Sequence, residues 1–443
     1  MKLDENAKKE VHKLADVERI KEVSAPDSDI TFRKWQAIIS ENFPDLLFTS
    51  EMCMAIMAQI LIKDITNPFA LVLVDVPSAG KTITINFFSD IPELTYATDK
   101  FSPASFVSNA ANVSKEKLKD IDLLPRLQYK MFLIRDLATL FSKRDDDLNE
   151  CLGILTRVLD GEGLNTDSGV HGQRQYVGEY LFMLLAASTP IPPRVWKMMG
   201  NLGSRLFFVN MNTRDKSEDE LADQLTTLAY KHKEKLCRQA TSDYLKSLWN
   251  TYPHGVDWDK SLDTREMKVI IARCASLLAK LRGVINVWKE HSEEGTQYSY
   301  NSPVIEKPDR INQLFYNLCR GHALISGRKS INEDDLRLIV ELCIDSAPTI
   351  RARLLRTLLE HGGVMKTNEV EIALQCSKPT ALKEMETLKI LRICYITQES
   401  NGYPGEPEKV IRLSESFQWF LSEECNQIRG VTREEDTQAD LFN

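Results

Sequence analysis

The stretch LVLVDVPSAGKTI, from Leu71 to Ile83, joins an apolar run to a loop that ends in Gly-Lys-Thr. The β-branched and apolar residues from Ala70 to Val74 predict a strand buried in a sheet. The chain then turns through Pro77, Ser78, Ala79 and Gly80 and resumes as TITINFF, which can begin a helix. A strand, a glycine-containing loop, Lys-Thr and a helix together form a cradle for phosphate groups. This stretch therefore predicts a nucleotide-binding loop.

Two residues after the loop have expected roles, and one residue before it departs from the pattern. Lys81 can reach the outer phosphates, and Thr82 can hold Mg²⁺. The full pattern has glycine five residues before Gly80, where this chain has Asp75. A carboxylate there repels phosphate unless it points away. A Gly-Lys-Thr triplet also arises by chance, but the preceding strand and the PSAG loop argue against that alternative.

The composition is that of an ordinary globular protein. At 443 residues the chain has room for about three domains, and its residues are 43% hydrophobic and 27% charged. No run approaches ~18 apolar residues, and the N-terminus MKLDENAKKEVHKL is polar, so neither a membrane span nor a secretory signal is expected. We therefore expect the chain in the cytoplasm or associated with the nucleoid, with no membrane partner.

The cysteines and the net charge argue against several classes of protein. The nine cysteines include no CxxC pair, and residues such as Cys53, Cys274 and Cys343 lie in apolar contexts. They predict buried thiols in a reducing compartment rather than a disulfide framework or a zinc site. The net charge of −8 argues against nucleic acid coating the whole surface, so any such binding has to come from a local patch or a channel.

Five apolar runs predict the strands of one sheet. Helical patterns separate most of these runs, and this alternation predicts an α/β fold with a parallel sheet in three layers. Ligands of such sheets bind at the carboxyl ends of the strands. Gly80 and Lys81, Asp136, and Ser188 and Thr189 all fall at that edge. The predicted strands are Ala70–Val74, Leu94–Thr98, Lys130–Asp136, Tyr180–Thr189 and Leu206–Met211.

The rest of the chain reads mostly as helices. We expect five segments: a helical N-terminal segment at 1–48, the α/β core at 49–214, a helical lid at 215–347, a winged helix-turn-helix at 348–426 and a disordered tail at 427–443. Within the lid, residues 291–308 (HSEEGTQYSYNSPVIEKP) read as a loop. The winged helix is predicted from three short helices followed by two strands around the turn-rich ESNGYPGEPE.

Asp136 closes the strand KMFLIRD and is the expected second ligand of Mg²⁺. ATPase sites often add a second carboxylate that orients the attacking water. Here Arg135 precedes Asp136 and Leu137 follows it, so one acid stands alone. The alternative is an acid that caps the next helix.

The glycine-rich segment 160–178 (DGEGLNTDSGVHGQRQYVG) predicts a β-hairpin that protrudes from the core. His171 and Arg174 are its expected contacts with a polymer. A long surface loop without a function is the alternative.

Arg205 follows a loop that contains Pro190, Pro192 and Pro193 and precedes the last apolar strand. This position predicts a guanidinium at the domain surface, near a neighbouring subunit. In ring ATPases such an arginine reaches the γ-phosphate bound by the adjacent subunit. A surface salt bridge is the alternative.

The predicted winged helix is locally basic. Residues 349–392 contain eight Lys and Arg against five acids, a balance of +3 within a chain of net charge −8. Lys378, Thr380 and Lys383 lie on the helix expected to enter a DNA groove, and Ser377 is positioned to cap that helix. Winged helices also serve as protein-contact modules, which is the alternative.

Taken in order, these motifs resemble an AAA+ ATPase followed by a winged helix, most closely the minichromosome-maintenance helicases and helicase-like ATPases of viruses and plasmids. PSAGKT is similar to the first nucleotide motif and IRDLATLF to the second, LAASTP to the first sensor, and GNLGSRLFF to the arginine-finger segment. DRINQLFYNLCRGHAL with INEDDL is similar to the lid helices that carry the second sensor. The resemblance covers about Leu71 to Leu413.

The resemblance implies a ring, expected to be a hexamer, that binds ATP and Mg²⁺ between subunits and acts on DNA. It implies that Thr189 is the first sensor, in place of the usual Asn, and that Arg310 is the second. Hydrolysis would move the hairpin along a strand in the pore. The lone acid Asp136 favours a different class, a DNA-binding initiator or regulator in which nucleotide gates assembly without unwinding.

Overall fold

Strands and helices alternate through the first half of the chain, as the sequence predicts. The computed structural model describes residues 18–109, 113–169, 171–203, 205–211, 213–226, 229–292, 295–399 and 408–430. Most of the predicted disordered tail, residues 431–443, lies outside the described residues, as do residues 1–17 of the N-terminal segment.

The chain divides into two compact units, whose limits differ from those of the predicted segments. The first unit contains Met1–Leu262 and Asn317–Ile331, and the second contains Asp263–Tyr316 and Asn332–Asn443. The predicted lid is thus shared between the units, and its residues 263–316 group with the C-terminal helices. The five predicted segments stay predictions.

The first unit is built on a parallel sheet of five strands in the order β2-β3-β6-β1-β7. Its strands are β1 (Ala70–Val74), β2 (Thr95–Thr98), β3 (Met131–Ile134), β6 (Met183–Ser188) and β7 (Leu206–Asn210). Every residue of β1, β3 and β6 is buried, because helices flank the sheet. The predicted α/β class with a parallel sheet is confirmed.

Polar residues end the strands earlier than we predicted. β3 stops at Ile134, two residues before Asp136, and β6 stops at Ser188, one residue before Thr189. Pairing of Val74 with Ser188 and of Ile134 with Ala186 aligns the carboxyl ends of β1, β6 and β3. The polar residues that follow these strands therefore meet at one edge of the sheet.

Helices of the first unit precede β1, lie between the strands or follow β7. They are α1 (Phe32–Asn42), α2 (Leu47–Ala58), α3 (Lys81–Asn86), α4 (Lys115–Ile121), α5 (Leu123–Leu127), α6 (Ala138–Phe141), α7 (Asp145–Val158), α8 (Pro193–Leu202), α9 (Glu218–Thr226) and α10 (Ala229–Thr251). Apolar residues of α7 such as Leu148, Leu152 and Leu155 join the core that covers Phe132 and Leu184 of the sheet.

The predicted glycine-rich hairpin is confirmed. Strands β4 (Gly163–Ser168) and β5 (Gly172–Val177) pair antiparallel from Gly163 with Val177 to Ser168 with Gly172. Burial alternates along β5, so one face packs on the unit and the other faces solvent. Gly163 has a φ of +85°, and a Cβ there would lie 1.9 Å from the carbonyl oxygen of Tyr176, so glycine is required at the base of the hairpin.

The second unit contains a hairpin that the sequence analysis missed. Strands β8 (Val287–Ser292) and β9 (Gly295–Tyr300) follow helix α11 (Arg265–Leu281) and pair antiparallel. The prediction of a loop at 291–308 was therefore wrong for the residues up to Tyr300. Helix α12 (Asp309–Ile325) follows and ends in the first unit, and α13 (Glu333–Asp345) begins at a capping box between Asn332 and Asp335.

The C-terminal part of the second unit combines helices with a three-stranded antiparallel sheet in the order β10-β12-β11. The predicted helices and both predicted strands are present, and β10 is an additional short strand. The elements are α14 (Thr349–Glu360), β10 (Val364–Lys366), α15 (Thr367–Leu374), α16 (Lys378–Ile390), β11 (Cys394–Glu399), β12 (Glu408–Leu413) and α17 (Glu423–Arg429).

Eight of the nine cysteines are buried, which confirms the predicted burial of the thiols. Cys376 is the partly exposed member. The reducing compartment stays a prediction. Among the helices of the described ranges, none has the length and apolar character that crossing a membrane requires.

Candidate functional site

The loop between β1 and α3 has a backbone that favours small residues. Gly80 has a φ of +86°, a left-handed conformation that suits glycine, and Ser78 has a φ of +69°. A Cβ at Gly80 would also lie 2.9 Å from the Leu46 side chain. Local conformation and close packing both explain why glycine precedes Lys81.

Lys81 folds back over the loop. Its Nζ donates hydrogen bonds to the carbonyl oxygens of Asp75, at 2.7 Å, and of Val76, at 2.5 Å. Burial lowers the pKa of Lys81, while the carboxylates of Asp75 and Asp136 act in the opposite direction. The two hydrogen bonds are to neutral carbonyls, so an anion entering the loop can compete for the ammonium.

Both carboxylate oxygens of Asp75 accept hydrogen bonds. Oδ1 accepts one from the Val76 N–H at 2.7 Å, and Oδ2 accepts one from the Thr213 hydroxyl at 3.2 Å. Asp75 is not among the residues that line the adjoining cleft. Its expected repulsion of phosphate therefore does not act from the cleft lining itself.

A cleft of about 480 Å³ lies over the carboxyl edge of the sheet. Its volume is within the range of small-molecule sites. It brings together the loop after β1, the residues after β3 and the residues after β6. The lining residues are Pro77, Ser78, Ala79, Gly80, Lys81, Thr82, Ile83, Arg135, Asp136, Ala138, Ala187, Ser188, Thr189 and Tyr230.

Asp136 lies in this cleft and also supports the next helix. Its Oδ1 accepts a hydrogen bond from the Ala138 N–H at 2.8 Å, at the start of α6. Leu137 holds the N-cap position of α6, so Asp136 braces the start of the helix from one residue before the cap. The exposed Asp136 side chain also reaches the cleft. Among the described residues that line the cleft, Asp136 is the sole carboxylate.

Thr82 and Thr189 complete the polar lining. The side chains of both residues are exposed at the cleft. The neighbouring Ser188 donates a hydrogen bond from Oγ to the carbonyl oxygen of Thr189 at 2.9 Å. The Ser188 hydroxyl is therefore used in a backbone contact. One carboxylate and hydroxyl oxygens are hard ligands of the kind that Mg²⁺ prefers, so these residues fit that ion.

Arg205 does not have the predicted surface position. Its Nε and a terminal nitrogen each lie 3.0 Å from Oδ1 of Asp160, and the side chain is 11% exposed. Arg205 also donates to the carbonyl oxygens of Leu202 and Gly203. The prediction of an outward-pointing guanidinium is corrected, because the pairing with Asp160 holds it against its own chain.

Arg310 belongs to the second unit, where it is an exposed residue in the first turn of α12. Its predicted role as second sensor stays a prediction.

Arg174 was predicted to contact a polymer, and the structure corrects this. Its guanidinium is paired with the fully buried carboxylate of Asp122, and 5% of the Arg174 side chain is exposed. Asp122 also accepts hydrogen bonds from the Tyr176 hydroxyl at 2.5 Å and the Ser108 N–H at 2.7 Å. Arg174 therefore anchors the hairpin to the segment between α4 and α5.

His171 lies beside the turn of the hairpin and is half-buried. Its N–H donates a hydrogen bond to Oγ of Ser168 at 3.1 Å. Its predicted contact with a polymer stays a prediction.

The basic residues of α16 are accessible. Lys378 and Lys383 are exposed, and Thr380 is half-buried. Ser377 precedes the helix with extended backbone, as predicted for a cap, but its Oγ contacts Oγ1 of Thr380 at 3.1 Å rather than a backbone N–H. Lys389, in the last turn of the helix, is paired with Glu386 at 2.8 Å.

Comparisons with known proteins do not extend these observations. A comparison with protein-family models finds no match, and a comparison with curated proteins finds no similar sequence.

The structure adds Arg135 and Tyr230 to the cleft. Arg135 is held by Asn86, with 3.1 Å between Nε and Oδ1, and by Asp99 at 2.8 Å. The sequence could have predicted Arg135 at the cleft, because Arg135 and Asp136 both directly follow β3. Tyr230 lies in a helix far along the chain, and no motif in the sequence marks it.

Proposed function

We propose that this chain is an AAA+ P-loop ATPase that assembles into a ring, as a hexamer, and acts on DNA. The observation that carries the proposal is the cleft in which the Gly80–Thr82 turn meets Asp136 and Thr189. These residues follow β1, β3 and β6, and ligands of parallel α/β sheets bind at the carboxyl ends of the strands.

Each cleft residue has a proposed part in binding ATP and Mg²⁺. Lys81 exchanges the carbonyl oxygens of Asp75 and Val76 for phosphate oxygens, which bind an ammonium more strongly because they are charged. Thr82 and Asp136 would hold Mg²⁺, and Thr189 would contact the outer phosphate. When bound, Mg²⁺ would supply positive charge that offsets the negative charge of the phosphates.

DNA contact is proposed for the hairpin β4–β5 and for α16. Three helices and an antiparallel sheet in the second unit have the composition of a winged helix, which supports the predicted module. Exposed Lys378 and Lys383 on α16 can contact phosphates. Arg205 can serve a neighbouring site only after it leaves Asp160, so we do not include it in the resting site.

DNA-stimulated ATP turnover tests this proposal. Lys81→Ala should abolish ATP binding and leave the fold intact, because the ammonium contacts only loop carbonyls. The matched control is Lys197→Ala in α8, an exposed lysine outside the cleft. Equal ATP affinity in Lys81→Ala and the wild type would exclude this loop as the nucleotide site.

The second candidate is a DNA-binding initiator or regulator in which nucleotide gates assembly without unwinding. Asp136 favours it, since its carboxylate is already bonded to the Ala138 N–H, and the described residues that line the cleft include no second acid to orient water. ATP-dependent assembly on DNA without strand separation or DNA-stimulated turnover would identify this candidate. Strand separation that requires Lys81 would identify the motor.

A further inference from the structure

Helix α10 runs beside the segment that follows the candidate nucleotide loop. Asn86, the last residue of α3, donates a hydrogen bond from Nδ2 to Glu234 at 3.0 Å. Four residues further along both segments, Arg238 pairs with Asp90, with 2.9 Å from Nε to Oδ2. The two segments therefore run in the same direction. The residue one turn before Glu234, which is Tyr230, consequently lies beside the first turn of α3.

The Tyr230 ring is fixed on one side and open to the cleft on another. Phe43 packs perpendicular to it, with 5.6 Å between ring centroids, and Phe43 itself contacts Phe87 at 5.7 Å. Phe43 can cover at most one face of the tyrosine ring, and Tyr230 remains 44% exposed. Of the described residues that line the cleft, Tyr230 alone is aromatic.

We propose that Tyr230 is the surface on which the base of a bound nucleotide stacks. This inference rests on the proposed function, because it needs a nucleotide whose phosphates lie at Lys81. The inference assigns a contact to the base of the nucleotide, because the loop at Lys81 is proposed to contact the phosphates alone. The ligand class is therefore a nucleoside triphosphate rather than an inorganic polyphosphate.

Stacking predicts a particular pattern of selectivity. Every base has a π-face, so an aromatic side chain binds bases with little preference among them. The Tyr230 hydroxyl is protonated at neutral pH, and burial and the nearby Glu234 carboxylate raise its pKa further above the ordinary value of 10.0. The ring thus meets the ligand uncharged. ATP and GTP should depend on Tyr230 to a similar degree, and tripolyphosphate should not depend on it.

The test is calorimetric titration of the full chain with ATP, GTP and tripolyphosphate in the presence of Mg²⁺. Tyr230→Ala should weaken ATP and GTP at least about fivefold and leave tripolyphosphate unchanged. Tyr230→Phe keeps the ring and should bind all three ligands as the wild type does. Tyr395→Ala, which removes a tyrosine 47% exposed on β11 of the second unit, is the control for loss of a surface aromatic residue.

Three results would overturn the proposal, and they separate it from the proposed function. Unchanged ATP affinity in Tyr230→Ala would mean that the base does not meet this ring. Equal losses of ATP and tripolyphosphate would mean that Tyr230 only supports the shape of the cleft, and Tyr230→Leu, which refills the contact with Phe43, would then restore both. Failure of the wild type to bind either ligand would remove the nucleotide site itself, and the inference with it.

Discussion

Arg205 and Asp160 form a paired contact within one subunit, with 3.0 Å between Nε and Oδ1 and 3.3 Å between a terminal nitrogen and Oδ2. The guanidinium and the carboxylate are thus held side by side by two nitrogens and two oxygens. Such charge-assisted bonds are geometrically specific. The observed contact of Arg205 is therefore with its own chain.

We therefore expect Arg205→Ala to lower the free energy of unfolding by about 1.5–3 kcal/mol, the usual value for a hydrogen bond to a charged group. Urea denaturation measures this, and a double-mutant cycle with Asp160→Ala isolates the pair. Mixing Arg205→Ala with Lys81→Ala protein should not restore ATP turnover. Restored turnover in mixed rings would instead assign Arg205 the role in a neighbouring site that its sequence position predicts.

The exposed lysines of α16 should contribute phosphate contacts. We expect the double variant Lys378→Ala, Lys383→Ala to weaken duplex DNA binding and to reduce the slope of log K against log salt by about 2, roughly one per lost contact. Fluorescence anisotropy at several salt concentrations measures both. Lys389→Ala is the matched control, since Lys389 lies on the same helix but is paired with Glu386. An unchanged slope in the double variant would make this module a protein-contact surface.

The buried pair of Arg174 and Asp122 should be a major source of stability for the hairpin. Arg174→Ala leaves the Asp122 carboxylate without its cation, and breaking a buried pair in this way costs about 3–5 kcal/mol. Chemical denaturation is the measurement, and Gln175→Ala, on the exposed face of the same strand, should change the stability by less than about 0.5 kcal/mol. If Arg174→Ala kept full stability but bound DNA more weakly, the original prediction that Arg174 contacts a polymer would be supported instead.

A pH-dependent contribution should come from Glu341. Burial alone raises the pKa of its carboxyl, but Arg356 and Arg429, each 2.8 Å away, outweigh burial and hold the pKa below its ordinary value of 4.5. A depressed folded-state pKa stabilises the protein above the unfolded value, and this stability is lost as the pH falls through the folded one. Glu341→Gln should therefore destabilise the protein at pH 7.

The size of that difference and its pH dependence are both measurable. We expect about 1.5–3 kcal/mol at pH 7, and a gap between the variant and the wild type that closes as the pH falls below 4.5. Urea denaturation across this pH range measures it. Glu360→Gln, at the exposed end of α14, is the control. A gap that persists unchanged at low pH would mean that the ion pairs do not account for the effect of the substitution.

Local patterns were sufficient to predict the sheet, because β1, β3, β6 and β7 are largely apolar runs. The strand β2, with the sequence TYAT, is the partly polar exception. They also placed Lys81, Asp136 and Thr189 at one edge, since parallel strands share the direction of their carboxyl ends. The hairpin β8–β9 was missed because its charged and polar residues do not form an apolar run. The short strand β10 was missed because it has three residues.

Side-chain partners were the part that sequence could not supply. Arg174 and Asp122 are 52 residues apart, and Arg205 and Asp160 are 45 residues apart. A lone arginine on a glycine-rich hairpin or before a strand reads as accessible unless its distant carboxylate is known. The position of Tyr230 at the cleft could not be predicted for the same reason, since it depends on how α10 lies along α3.

The distribution of the thiols gives the chain a built-in attachment point for a spectroscopic probe. Cys376 is the partly exposed cysteine, and it directly precedes Ser377 and the helix α16. Burial and the carboxylates of Glu371 and Glu384 raise its pKa, so alkylation by a maleimide dye has to be run at mildly alkaline pH. A fluorophore placed there would sit next to Lys378. It would report on DNA docking without the removal of any native cysteine.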